Sequence, residues 1–85
     1  MASYSVLIKP SAAKELETVP RTDRLRIIQK IRALAGSPRP IGCEKLSGRE
    51  QYRLRQGRYR IVYSIAGPEQ TVLVVKIGYR KEVYR

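Results

Sequence analysis

The stretch Tyr52-Arg53-Leu54-Arg55-Gln56-Gly57-Arg58-Tyr59-Arg60-Ile61 alternates basic and apolar residues on both sides of a Gln-Gly pair. Such period-2 alternation broken by a glycine is the signature of a β-hairpin with one buried and one open face. With Gln56-Gly57 as a two-residue loop, Arg55 is predicted opposite Arg58, Leu54 opposite Tyr59, Arg53 opposite Arg60 and Tyr52 opposite Ile61. Opposed residues share a face, so Arg53, Arg55, Arg58 and Arg60 emerge together on one side. Tyr52, Leu54, Tyr59 and Ile61 emerge on the other, where helices cover them.

The flanking sequence extends this hairpin into a sheet. Residues 51–55, 58–65 and 70–77 read as strands, the last two joined by the turn Ala66-Gly67-Pro68-Glu69, and residues 44–46 read as a short extended piece. Upstream, residues 3–9 form a first strand that stops at Pro10. Ser11 is placed to cap a short helix over residues 12–18, and Pro20 ends it. A longer helix starts at Arg21 or Thr22. Leu25, Ile28, Ile31 and Ala35, widened by Ile27 and Leu34, make its apolar stripe up to a stop at Gly36. The expected fold is α+β: an N-terminal strand, a helical hairpin, then a three- to four-stranded antiparallel sheet with the helices packed on one face. One domain over residues 1–85 is expected, because a chain of 85 residues buries only about 60% of its unfolded surface and cannot support a second core.

Composition excludes several chemistries. There is no His, which removes Ser-His-Asp and Cys-His triads and His-ligated zinc. The single cysteine, Cys43, removes disulfides and multi-Cys metal sites. With 18 Lys and Arg against 7 Asp and Glu, the formal charge is +11, which favours a polyanionic partner. The longest apolar run, Val72-Leu73-Val74-Val75, is far short of the roughly 20 residues that span a bilayer. The start lacks the pattern of a secretory signal, so a soluble cytoplasmic protein is expected, with no membrane partner.

Like charges directly opposed on a sheet cost a few tenths to about 1 kcal/mol per pair. A small domain that accepts two such pairs needs a reason for them. Guanidinium forks bind phosphate bidentately, so the four arginines read as a phosphate cradle, which Lys45, Lys76, Arg80, Lys81 and Arg85 extend. The plain alternative is a set of solvated strand positions, although a surface selected only for solubility mixes its signs. Gly78 permits a bend that folds Arg80 and Tyr84 back beside the arginines, with Tyr84 either stacking on a base or packing on the sheet edge. No carboxylate cluster accompanies the arginines, so neither a metal nor another cofactor is expected. Metal-free RNA cleavage needs an in-line 2′-hydroxyl, cations for the phosphorane charge, and a proton donor and acceptor. Arginine supplies the second well and the third badly, because a guanidinium keeps its proton.

Lys45-Leu-Ser-Gly-Arg49, Tyr52-Arg-Leu-Arg-Gln-Gly-Arg-Tyr-Arg-Ile-Val-Tyr63 and Ile77-Gly-Tyr-Arg-Lys-Glu-Val-Tyr84 resemble the signature stretches of RelE toxins from bacterial toxin–antitoxin systems. The resemblance runs over nearly the whole chain. Its first two stretches are shared across the wider RelE/ParE superfamily, and the Gly-x-Arg ending with Tyr84 is nearer RelE proper. It implies a ribosome-dependent endoribonuclease that enters the A site and cleaves translated mRNA by 2′-hydroxyl attack, leaving a 2′,3′-cyclic phosphate. By the same resemblance Arg53, Arg60 and Arg80 would stabilise the phosphate, Tyr84 would stack on and orient a base, and Arg55 would stand at the general-base position. Arg58, Lys45, Lys76, Lys81 and Arg85 would add RNA contacts. This sequence departs from the family in carrying arginine at positions 53 and 55, where the best-known member has lysine, and Tyr79 where some relatives have histidine.

The resemblance also implies a RelB-like antitoxin with an acidic segment that wraps the basic sheet, and contact with operator DNA only through that complex. Two rival functions keep the fold or the surface. A ParE-like toxin would poison DNA gyrase and break DNA. A non-catalytic RNA-binding protein would use the arginines as a cradle only, with salt-sensitive binding and no cleavage.

Overall fold

The computed structural model describes residues 3–46 and 50–79. In chain order the elements are β1 (Ser5–Ile8), α1 (Pro10–Glu17), α2 (Arg21–Ala33), β2 (Glu44–Lys45), β3 (Gln51–Gln56), β4 (Tyr59–Ala66) and β5 (Thr71–Tyr79). The strands make one five-stranded sheet in the order β1-β5-β4-β3-β2. The expected α+β fold is observed, with β2 to β5 antiparallel in sequence order. The N-terminal strand enlarges that sheet: β1 pairs with β5 in parallel, so the sheet is mixed. From that edge the two helices carry the chain across one face to the opposite edge at β2.

The hairpin register differs from the expected one by two residues. Arg55 pairs with Arg60, Leu54 with Ile61, Arg53 with Val62, Tyr52 with Tyr63 and Gln56 with Tyr59, so the loop is Gly57-Arg58. The cause is the glycine. Gly57 has φ +60°, as the first central residue of a type II′ loop requires, whereas a Gln56-Gly57 loop would put the glycine second. A shift of two residues preserves the faces, so the basic and apolar sets stay separated. Arg58, however, moves out of the strand and into the turn.

The helices differ from expectation at their ends. Pro10 opens α1, where its missing N–H costs nothing, so Ser11 lies inside the first turn and Lys9 takes the capping position. At the end of α2, Leu34, Ala35 and Gly36 donate to the carbonyls of Ile31, Arg32 and Ala33 at 3.1, 3.1 and 3.2 Å. This i to i+3 tightening ends the helix, and Gly36 adopts no left-handed conformation. Ile27, Ile31 and Leu34 are the buried stripe. Leu25, expected in it, falls about 160° round from Ile27 at about 100° per residue and is 49% exposed.

The core lies between helices and sheet. Ile27, Ile31 and Leu34 meet Leu54 of β3, Ile61 and Tyr63 of β4, and Val72, Val74 and Ile77 of β5. Tyr52 and Tyr63 stack across β3 and β4 with ring centroids 5.8 Å apart. Burial keeps the Tyr63 phenol protonated well above its usual range, and its hydroxyl donates to the Pro38 carbonyl at 2.8 Å. Arg39 lies over the Tyr52 ring and donates from Nε to its hydroxyl at 3.1 Å. These contacts fasten the loop after α2 to the sheet beside β2.

β5 is longer than its edge partner. β1 covers Thr71 to Val74, and α1 lies beside the remainder. There Glu15 accepts the Ile77 backbone N–H on Oε1 at 3.0 Å and pairs through Oε2 with Lys76 Nζ at 2.7 Å. Among the described residues no helix is long and apolar enough to cross a membrane.

Candidate functional site

Strand alternation carries Arg53 and Arg55 from β3, and Arg60 from β4, to the face opposite the helices, with Arg55 directly across from Arg60. Their environments differ. Arg55 is exposed, Arg53 is half-buried and Arg60 is buried, at 4% exposure. Arg60 donates from Nη1 to the Tyr59 carbonyl at 3.3 Å. All three line one cleft of about 490 Å³. Arg60 therefore belongs to its floor and Arg55 to its rim.

Two further polar residues line that cleft. Lys30 reaches it from α2. Glu44 reaches it from β2, whose pairing sets Glu44 opposite Arg53 and on the arginine face. Arg53 Nη2 lies 2.9 Å from Glu44 Oε1. The hydrogen bond and charge of Arg53, with smaller contributions from Arg55 and Arg60, hold the Glu44 carboxyl below the usual carboxylate range. The sequence reading did not single out either residue. Glu44 was legible in principle, because a two-residue extended piece alternates and must put either Glu44 or Lys45 beside the arginines. Lys30 was not, since helix periodicity gives no azimuth relative to a sheet edge.

Three other cations expected here stand elsewhere. Lys45 pairs with Tyr52 in register, which turns it to the helix side, and it forms an ion pair with Glu50 at 3.6 Å. Lys76 shares the arginine face by register with Val62, but its ammonium is held by Glu15. Arg58, displaced into the turn, donates to the Tyr79 hydroxyl at 3.4 Å. Tyr79 packs edge-on against Tyr59 with centroids 5.5 Å apart, on the helix side of the sheet. The four-arginine cradle is thus a three-arginine cleft with a lysine and a carboxylate. Arg80, Lys81, Tyr84 and Arg85 lie outside the described residues.

Chemically, the cleft can hold a phosphate against two or three guanidinium groups and offers one carboxylate oxygen beside it. Among the described residues no group of three His, Cys, Asp or Glu side chains could hold a metal ion.

The family model for the ParE toxin of type II toxin–antitoxin systems (parDE) matches residues 6–84. RelE1 of Methanocaldococcus jannaschii is 24% identical over 86 residues, covering 96% of each chain. Among solved structures, the archaeal RelE–RelB complex from Pyrococcus horikoshii OT3 superimposes with a TM-score of 0.84 at 27% identity, over 92% of this chain and 96% of the other. An E. coli RelE variant bound to a peptide of the antitoxin RelBc gives a TM-score of 0.76 at 30% identity, over 99% and 92%.

Proposed function

The chain belongs to the ParE-toxin family of type II toxin–antitoxin systems, within the RelE/ParE superfamily, and from that premise we propose that it is a ribosome-dependent endoribonuclease. The observation that supports this reading is the directly opposed pair Arg55 and Arg60, with Arg53 beside it, in one cleft. Opposed like charges oppose folding, and a phosphate between them turns the repulsion into two charge-assisted contacts. In the reaction the 2′-oxygen of a translated mRNA attacks the adjacent phosphorus. Arg55 and Arg60 meet the charge that accumulates on the phosphorane oxygens, which is where preorganised cations contribute most to rate. Arg53 orients the same phosphate, Arg80 adds a further cation, and Tyr84 stacks on a base. Lys45, Arg58 and Lys76 stand outside the cleft, and with Lys81 and Arg85 they serve RNA contact.

The partner in the resting state is an acidic RelB-like antitoxin. Support comes from relatives whose solved structures contain RelB or a RelB peptide, and from a +11 chain that such a segment neutralises. Purified protein added to a translating extract is expected to cut the translated message, as mapped by primer extension, and to leave matched naked RNA intact. Arg55→Ala removes the cuts. Intact message together with double-strand DNA breaks in cells would move the target to DNA gyrase. Salt-sensitive RNA binding without any cut would leave a cradle alone.

A further inference from the structure

Among the described residues, the arginines of this cleft supply no base for an endoribonuclease. Arginine is a poor acceptor for the proton of a 2′-hydroxyl, because a guanidinium is so strong a base that it is already protonated in water. The cleft nevertheless contains a carboxylate. Glu44 shares the arginine face with Arg53, stands 2.9 Å from it, and lines the same cavity as Arg55 and Arg60. Stability does not explain its presence, because an exposed ion pair at a sheet edge contributes little. Electrostatic attraction of RNA does not explain it either, since a negative charge weakens the field that draws phosphate into the cleft.

We propose that Glu44 is the proton acceptor of this site. The inference rests on the nuclease reading above. Glu44 takes the 2′-hydroxyl proton as the 2′-oxygen forms its bond to phosphorus. The bond from phosphorus to the 5′-oxygen breaks, its electron pair leaves with that oxygen, and the oxygen takes a proton from water. The products are a 2′,3′-cyclic phosphate and a 5′-hydroxyl, and the protonated carboxyl returns its proton to solvent. Arg53 holds the carboxylate ionised and fixes one of its oxygens, leaving the other to face the substrate. Among the described residues, the charged groups around Glu44 are Arg53 and Arg55 from β3, Arg60 from β4 and Lys30 from α2, all cationic. They make it a weak base that is ionised at every pH at which ribosomes function.

The test is single-turnover cleavage of mRNA on programmed ribosomes by the full chain, comparing wild type, Glu44→Gln and Glu44→Asp. Glutamine keeps the hydrogen bond to Arg53 and removes the basicity. General-base assistance is worth roughly 100- to 10,000-fold and least for a weak base, so Glu44→Gln is expected to lose about 100-fold in rate. Between about pH 6 and pH 8 wild type stays flat, whereas the residual Glu44→Gln rate climbs about tenfold per unit as hydroxide replaces the missing base. Glu44→Asp keeps the flat profile at reduced rate. Wild-type cleavage by Glu44→Gln overturns the assignment and leaves the nuclease intact. A uniform loss with identical pH slopes in wild type and Glu44→Gln also overturns it, showing that the residue acts through its charge on the arginines and not as a base. Absence of cleavage by wild type overturns the nuclease reading and this assignment together.

Discussion

The two faces of the β3–β4 hairpin are built from the same two strands and follow opposite rules. On the helix side, Tyr52 stacks on Tyr63, and Leu54 and Ile61 are sealed at 2% and 0% exposure. On the other side Arg55 is set against Arg60, a pairing that burial and Coulomb's law both disfavour. The first face is where the domain gains its stability, and the second is where it gives some up. Strands that alternate strictly allow this division, because a change on one face leaves the packing of the other almost untouched. Lys76 sharpens the contrast. It lies on the arginine face too, yet Glu15 neutralises it. A cation on this sheet can therefore be held by a carboxylate from a helix, whereas Arg55 and Arg60 face each other across the strands.

Substitutions divide along the same line. Ile61→Ala empties a fully buried position and is expected to cost about 2–5 kcal/mol by urea denaturation, with activity lost only through unfolding. Glu15→Ala leaves the Ile77 N–H without its acceptor and frees Lys76, for about 1–3 kcal/mol. Tyr63→Phe strands the Pro38 carbonyl, and about 1 kcal/mol is expected from the same measurement. Arg55→Ala reverses the sign: stability rises by a few tenths to about 1 kcal/mol while cleavage and growth inhibition disappear. The smallest effect belongs to Glu44. Its folded-state carboxyl is held down by Arg53, so its contribution is present above the unfolded carboxylate value near 4.3 and is lost as pH falls through the lower folded value. Wild type and Glu44→Gln should therefore converge in stability toward low pH, as followed by circular dichroism during acid titration.

Much of this was legible from the alternation alone. The division of Tyr52, Leu54 and Ile61 from Arg53, Arg55 and Arg60 needs only a period of two and a turn somewhere near Gly57. The register needed more, namely that a Gln56-Gly57 loop of type I′ would force Gln56 to positive φ whereas Gly57-Arg58 asks this of the glycine alone, and that choice moves every opposed pair. Arg58 leaves the arginine face for this reason, and Lys45 takes the helix side because a two-residue strand at an edge takes its face from its partner. The parallel placement of β1 and the approach of Lys30 depend on how the helices cross the sheet, which local patterns do not encode. Glu44 carries little signal in the sequence, because a lone carboxylate makes no metal-ligand pattern and only the β2–β3 register sets it beside Arg53.

Arg55 tests the division of labour most directly, if folding stability and ribosome-dependent cleavage are measured on the same preparation of Arg55→Ala. The expected result is a protein as stable as wild type or more so that no longer cuts translated mRNA. A protein that is less stable and still cuts would mean that the arginine face supports the fold and that the chemistry lies elsewhere.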